Sequence, residues 1–191
     1  DSARIGDGDD MAARGVISHV NDAAAALGCA VGQTAMACGE AMKAAPLPSG
    51  EAPVYEEARF QFSPAGETPI IWGVDSASLL REEDAGQIVL TGSHGALLGG
   101  EAASAVKYDV LACAFNDAGV GRESIGIPRL PALAPRNIAA VTVDCQSARI
   151  GDARSMWETG IVSYLNETAA ALGVKVGDSL QSFAETAQKN G

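Results

Sequence analysis

Four short runs, Ile70–Val74, Gln87–Thr91, Asp109–Phe115 and Ile138–Val143, are rich in Val, Ile and Ala and are bounded by polar or glycine residues. Continuous apolar runs of this length predict strands buried on both faces. Between and after them lie helix-like stretches: Ala96–Lys107, an imperfect one over Ile125–Leu133 interrupted by prolines, Met156–Leu172, and Asp178–Lys189. Gly173 stops the third of these in the usual way. Strands alternating with helices predict an α/β fold, a mostly parallel sheet flanked by helices.

The C-terminal helical pattern occurs twice. Shifting residue n onto n+145 aligns Ser2–Met42 with Ser147–Ala187 without a gap, and "SARIGD" at Ser2–Asp7 falls on "SARIGD" at Ser147–Asp152. Gly15, Ser18, Asn21, the Ala24–Ala26 run, Leu27, Gly28, Val31 and Gly32 match as well. Identity of that length and order implies an internal duplication. Residues 68–191 then form a complete α/β unit. Residues 1–45 form a helix hairpin, Met11–Leu27 with Gln33–Lys43, that is the second half of another unit. Residues 46–67 serve as a linker, in which "VYEEARFQF" can add an edge strand. Half a unit cannot bury its apolar face alone. It is expected to pair within the chain, in a homo-oligomer, or with a missing N-terminal half. The start at Asp1 without Met leaves room for such a piece, or for a removed leader.

Composition narrows the function. The chain has 191 residues, 24 Asp and Glu against 13 Lys and Arg, and a net charge of −11. Without a basic run, neither a nucleic acid nor an anionic membrane surface is an expected partner. No apolar stretch is long enough to span a bilayer. The four cysteines, Cys29, Cys38, Cys113 and Cys145, show no CxxC spacing. They read as buried reduced thiols of a cytoplasmic protein.

In a parallel sheet, ligands gather beyond the carboxyl ends of the strands. Three polar loops follow the predicted strands. In "GSHGALLGGEAA", Gly92 and Gly95 allow close backbone approach to a ligand, Ser93 adds a hydroxyl, and His94 titrates near neutrality at a strand-to-helix turn. The following helix start would offer unpaired N–H groups to an anion. In "NDAGVGRESIG", Asp117 can orient His94 or act as a second acid or base, and Asn116 can donate to a carbonyl. Asn-Asp-x-Gly also makes an Asx-type turn with no function. In "DCQSARIGDARS", Asp144, Ser147, Arg149 and Asp152 crowd the approach to a helix. Arg149 can grip a carboxylate or phosphate with two parallel hydrogen bonds, while Asp152 or Ser155 has a competing duty as helix N-cap. The repeated motif can equally be an Arg–Asp buttress with a glycine turn. Asp75 in "WGVDSASLL" is one more carboxylate at a strand end.

Other chemistries lack their residues. Two histidines, with His19 in a predicted helix, and no close Cys/His set argue against a metal site. No GxGxxG stands at a strand-to-helix turn, and no GxxxxGK[ST] or GxSxG appears, so no cofactor is expected. The order strand, "SHG", helix, strand and small-residue loop resembles the caspase-like cysteine peptidases, in which a His-Gly and a Cys follow adjacent strands. That resemblance covers about thirty residues and implies a His94–Cys113 dyad. Cys113, however, lies inside "DVLACAF", and Gly119 stands where that family's nucleophile would be.

Together these residues point to a metal-free hydrolase or isomerase. It would act on an anionic or amide-bearing metabolite by general acid–base chemistry. His94, Asp117 and Asn116 would be catalytic. Gly92, Ser93, Gly95, Asp144, Ser147, Arg149 and Asp152 would bind substrate. A non-catalytic anion-binding module and a structural oligomerisation subunit are the alternatives.

Overall fold

The computed structural model describes residues 2–46, 50–51 and 54–191. Leu47–Ser49 and Ala52–Pro53, and with them part of the expected linker, lie outside the described residues. The chain divides into two compact units, one of Asp1–Tyr55 with Gly121–Glu123, the other of Glu56–Val120 with Ser124–Gly191.

The second unit is an α/β unit built on one six-stranded, mostly parallel sheet in the order β1 to β6. β2 (Ile71–Val74), β3 (Ile88–His94), β4 (Ala112–Asn116) and β5 (Ala139–Val143) are parallel to one another. β1 (Arg59–Gln61) adds antiparallel to β2, and β6 (Val162–Leu165) antiparallel to β5. The expected linker thus supplies an edge strand. Its Arg59 reaches the fully buried Asp84 with two hydrogen bonds, of 3.0 and 2.5 Å.

Sequential strand order has a consequence for the layers. Right-handed crossovers between successive parallel neighbours all fall on one face of the sheet. Val89, Cys113, Phe115 and Ala140 point to that face, where Leu80, Val106, Leu130 and Leu133 of the crossovers cover them. The alternate residues Ile88, Leu90, Ala112, Ala114 and Val141 face the other way. There they meet Met156 of α5 (Ala153–Thr159), Ala169 of α6 (Glu167–Ala171), and Leu180, Phe183, Ala184 and Ala187 of α7 (Leu180–Asn190).

Several expected helices are corrected. Ala96–Lys107 is two short 3-10 turns, because Gly99 and Gly100 have φ of 60° and 76° and break any continuous helix. Ile125–Leu133 reduces to α4 (Arg129–Leu133), after Pro128. Met156–Leu172 is divided. Gly160 ends α5 with an extended φ/ψ, β6 comes next, and Asn166 starts α6 by accepting the Ala169 amide. The C-terminal hairpin is therefore helix, strand, helix, helix.

The first unit holds α1 (Gly8–Arg14), α2 (Asp22–Ala26) and α3 (Ala35–Met42). The expected Met11–Leu27 helix is likewise broken, and His19 lies between α1 and α2 rather than in a helix. The caps are Asp7, Asn21 and Thr34 in this unit and Asp152, Asn166 and Ser179 in the other, each pair 145 positions apart (7 to 152, for one). Bridges Val16↔Thr34 and Ile161↔Ser179 share the same spacing. No helix among the described residues is long and apolar enough to cross a membrane.

Candidate functional site

Ligand crevices form in α/β sheets where adjacent parallel strands send their connections to opposite faces. Here that happens once. β4 leads to α4 on one face, and β5 leads to α5 on the other. Asp117, Asp144 and Cys145 meet at this divergence, each with a donor atom within 4.8 Å of the others. One oxygen of the buried Asp117 accepts the amides of Gly119 (2.8 Å) and Cys145 (3.1 Å), tying the two loops together. Asp144 accepts the Gln146 amide at 2.8 Å. Two carboxylates and a thiol form a donor set able to hold a borderline divalent ion. Sequence reading missed this set, although Asp-Cys directly after one strand and Asp after its neighbour were its signal.

A second cleft, of about 470 Å³, opens beside the end of β3 and takes in Ser93, His94, Lys107 and Arg129. His94 lies opposite Asn116 across a register shift that begins at Leu90. Ser93 and His94 both border this cleft. The Ala96 amide donates to Nδ1 of His94 at 3.1 Å, which leaves Nε2 to carry the proton of the neutral ring. Burial, and then the positive charge of Arg129, hold the His94 pKa below its ordinary value. Ser93 Oγ accepts the Ala77 amide at 2.9 Å and keeps its own proton for another acceptor. Arg129 was not singled out from sequence. Its signal was a lone charge inside the apolar stretch "IPRLPAL".

The third loop borders a different cleft, of about 550 Å³, with Cys145, Ser147, Arg149 and Asp152. His94 and Arg149 border different clefts. Arg149 is 84% exposed and reaches Asp152 only at 3.9 Å. The other polar groups of the motif serve the backbone. Ser147 Oγ donates to the Asp144 carbonyl and accepts the Ile161 amide. Asp152 caps α5 through the Ser155 amide, and Ser155 Oγ accepts the Arg149 amide. In the first unit, Ser2 Oγ accepts the Val16 amide and Asp10 accepts the Arg4 amide in the same relative positions.

Gly92 and Gly95 stand where other backbone packs closely against them. A Cβ on Gly92 would stand 2.6 Å from the Asp152 nitrogen and 2.7 Å from the Asp75 oxygen. One on Gly95 would stand within 3.0 Å of the Gly126 carbonyl and the Thr142 methyl. Asn116 is fully buried and its amide is used on both sides, donating to the Ala148 carbonyl and accepting the Ala118 amide. Asp75 bridges the Ala58 and Ala153 amides.

Cys113 faces the crossover side, opposite Val89. It sits three residues before Asn116, the partner of His94, which is about 10 Å along a strand. Complete burial pushes its thiol up to about 12, the reverse of what a nucleophile needs. The geometry gives no support to a His94–Cys113 dyad.

No protein-family model, curated protein or solved structure matches the chain.

Proposed function

We propose that the protein is an enzyme acting on a small anionic or amide-bearing metabolite, a hydrolase or isomerase that moves protons through His94. The observation that carries this reading is an imidazole fixed by the Ala96 amide in a cleft, where burial and Arg129 disfavour its charged form. A neutral histidine with one nitrogen held is ready to give or take a proton at the other. Ser93, in the same cleft, supplies a hydroxyl donor. Asn116 supports the loop in this scheme, and Asp117 keeps the β4 and β5 exits in register.

A panel of small carboxylates, amides and phosphate esters, assayed with wild type and His94→Gln, tests it. The expected result is turnover that falls at least about 100-fold in the variant, with substrate affinity within tenfold. Undiminished turnover in His94→Gln overturns the acid–base role.

A second reading is favoured by a contrast between the two capped segments. Met156 is fully buried against the sheet, whereas Met11, at the equivalent position, is 47% exposed. Met36 and Met42 of α3 are exposed as well. In this reading the first unit descends from the same duplicated segment as 147–187, and its bare face pairs with a second copy of the chain. Light scattering should then report more than one chain per particle, and Met11→Glu with Met42→Glu should return it to one. A wild type that stays monomeric at high concentration removes this reading.

A further inference from the structure

The cleft beside His94 contains a charge that the fold does not answer. Arg129 is only 4% exposed. Its Nε donates to the Ala96 carbonyl at 2.9 Å and its Nη1 to the Ala105 carbonyl at 2.5 Å, and the guanidinium carbon lies 4.9 Å from the Phe115 ring centre. These partners are neutral. Among the described residues Arg129 makes no ion pair, and its Nη2 has no protein acceptor. A buried cation normally has a carboxylate beside it, because neutral carbonyls replace only part of its hydration.

The cleft does not provide that carboxylate. In a chain with nearly two acidic residues for each basic one, its lining carries Arg129 and Lys107 and no Asp or Glu. Further donors surround the space: the free hydroxyl proton of Ser93 and the Nε2 proton of a neutral His94. The exposed Lys107, whose ammonium stands 5.1 Å from the Tyr108 ring centre, adds a second positive charge at the rim. Among the described residues the one nearby carboxylate in contact with the lining, Glu57, is bonded to Ser78, so the lining itself offers donors suited to a compact anion.

We propose that this cleft binds the dianionic phosphate group of a small metabolite, anchored by Arg129 and Lys107. The proposal rests on the acid–base reading for its placement beside His94, and it replaces Arg149 as the expected anion anchor. A guanidinium gripping phosphate oxygens, with an ammonium as a second point charge, would hold the ester within reach of the imidazole.

Calorimetric titration with inorganic phosphate and with acetate, at constant ionic strength, tests the assignment. Wild type should bind phosphate saturably and at least tenfold more tightly than acetate. Lys107→Met should weaken phosphate binding about tenfold, and Arg129→Met should abolish it. Because Arg129→Met removes buried hydrogen bonds, Ser93→Ala is the conservative companion, expected to weaken binding several-fold in a folded protein. His94→Gln should bind phosphate within tenfold of wild type. Absence of saturable phosphate binding, equal affinity for acetate, or unchanged binding in both Lys107→Met and Ser93→Ala overturns the phosphate site. The two readings fail separately. Phosphate binding with undiminished turnover in His94→Gln removes only the catalytic role. Turnover that depends on His94 without phosphate binding removes only the anion site.

Discussion

The amide of Gly151 donates a 2.7 Å hydrogen bond to the carbonyl of Gly92, fastening the "SARIGD" loop to the tip of β3. The atoms nearest a Cβ at 92 are backbone, which cannot swing aside. Gly92→Ala should therefore lower stability by about 2–3 kcal/mol in urea unfolding. Arg149→Ala, at an exposed side chain, should change it by less than about 0.5 kcal/mol. A larger loss at 149 than at 92 would contradict the backbone role of this loop.

Depression of the His94 pKa makes stability depend on pH. The unfolded chain takes up a proton as pH falls through about 6.5, while the folded site resists it. This contribution is therefore complete above pH 6.5 and is lost as pH falls below it. NMR titration should place the His94 midpoint under 6.5. The loss of unfolding free energy between pH 7 and pH 5 should be smaller in His94→Gln. A midpoint above 6.5 would show that the charged ring is favoured.

Thiol reactivity should separate the four cysteines. Cys29, Cys38 and Cys113 are buried, and Cys145 is partly exposed. An aromatic disulfide reagent should label one thiol per native chain quickly and the others at least tenfold more slowly. Cys145→Ser should erase the fast phase. Rapid labelling of Cys113 would contradict its burial and its raised pKa.

An ion pair adds to the backbone pairing that attaches the edge strand. Arg59 and the fully buried Asp84 are joined by two hydrogen bonds, and the guanidinium stands 3.9 Å over the Trp72 ring. Asp84→Ala strands the arginine charge and should lower stability by about 3–5 kcal/mol. A loss under 1 kcal/mol, read from urea midpoints, would show that β1 is held by other contacts.

The parallel strands were legible because a strand covered on both faces must be apolar throughout. Ala139–Val143 and Ile71–Val74 fall within the runs that predict them. The covering elements were harder. Ala-rich segments look helical by propensity alone, yet Gly99-Gly100 and Gly160 impose breaks, and only tertiary packing decides whether a turn or a strand comes after each. The polar residues near the strand ends were also legible, although Gly92, Ser93 and His94 prove to lie within β3 and Asn116 within β4 rather than in loops past them. Their partnerships were not, since the irregular register between Leu90 and His94 and the divergence after β4 and β5 are set by contacts distant in sequence. Arg129 was hidden for the opposite reason. A charge within an apolar, proline-broken stretch names no partner in sequence, and its acceptors, the Ala96 and Ala105 carbonyls, lie more than twenty residues away.

The strictly sequential strand order also bears on how the molecule is made. Each crossover clothes one side of the sheet as soon as its strand has been synthesised. The opposite side, carrying Ile88, Leu90 and Val141, waits for residues 153–190 to leave the ribosome. Until then the nascent sheet presents a bare oily plane, and a chaperone that shields such planes would have its longest engagement there.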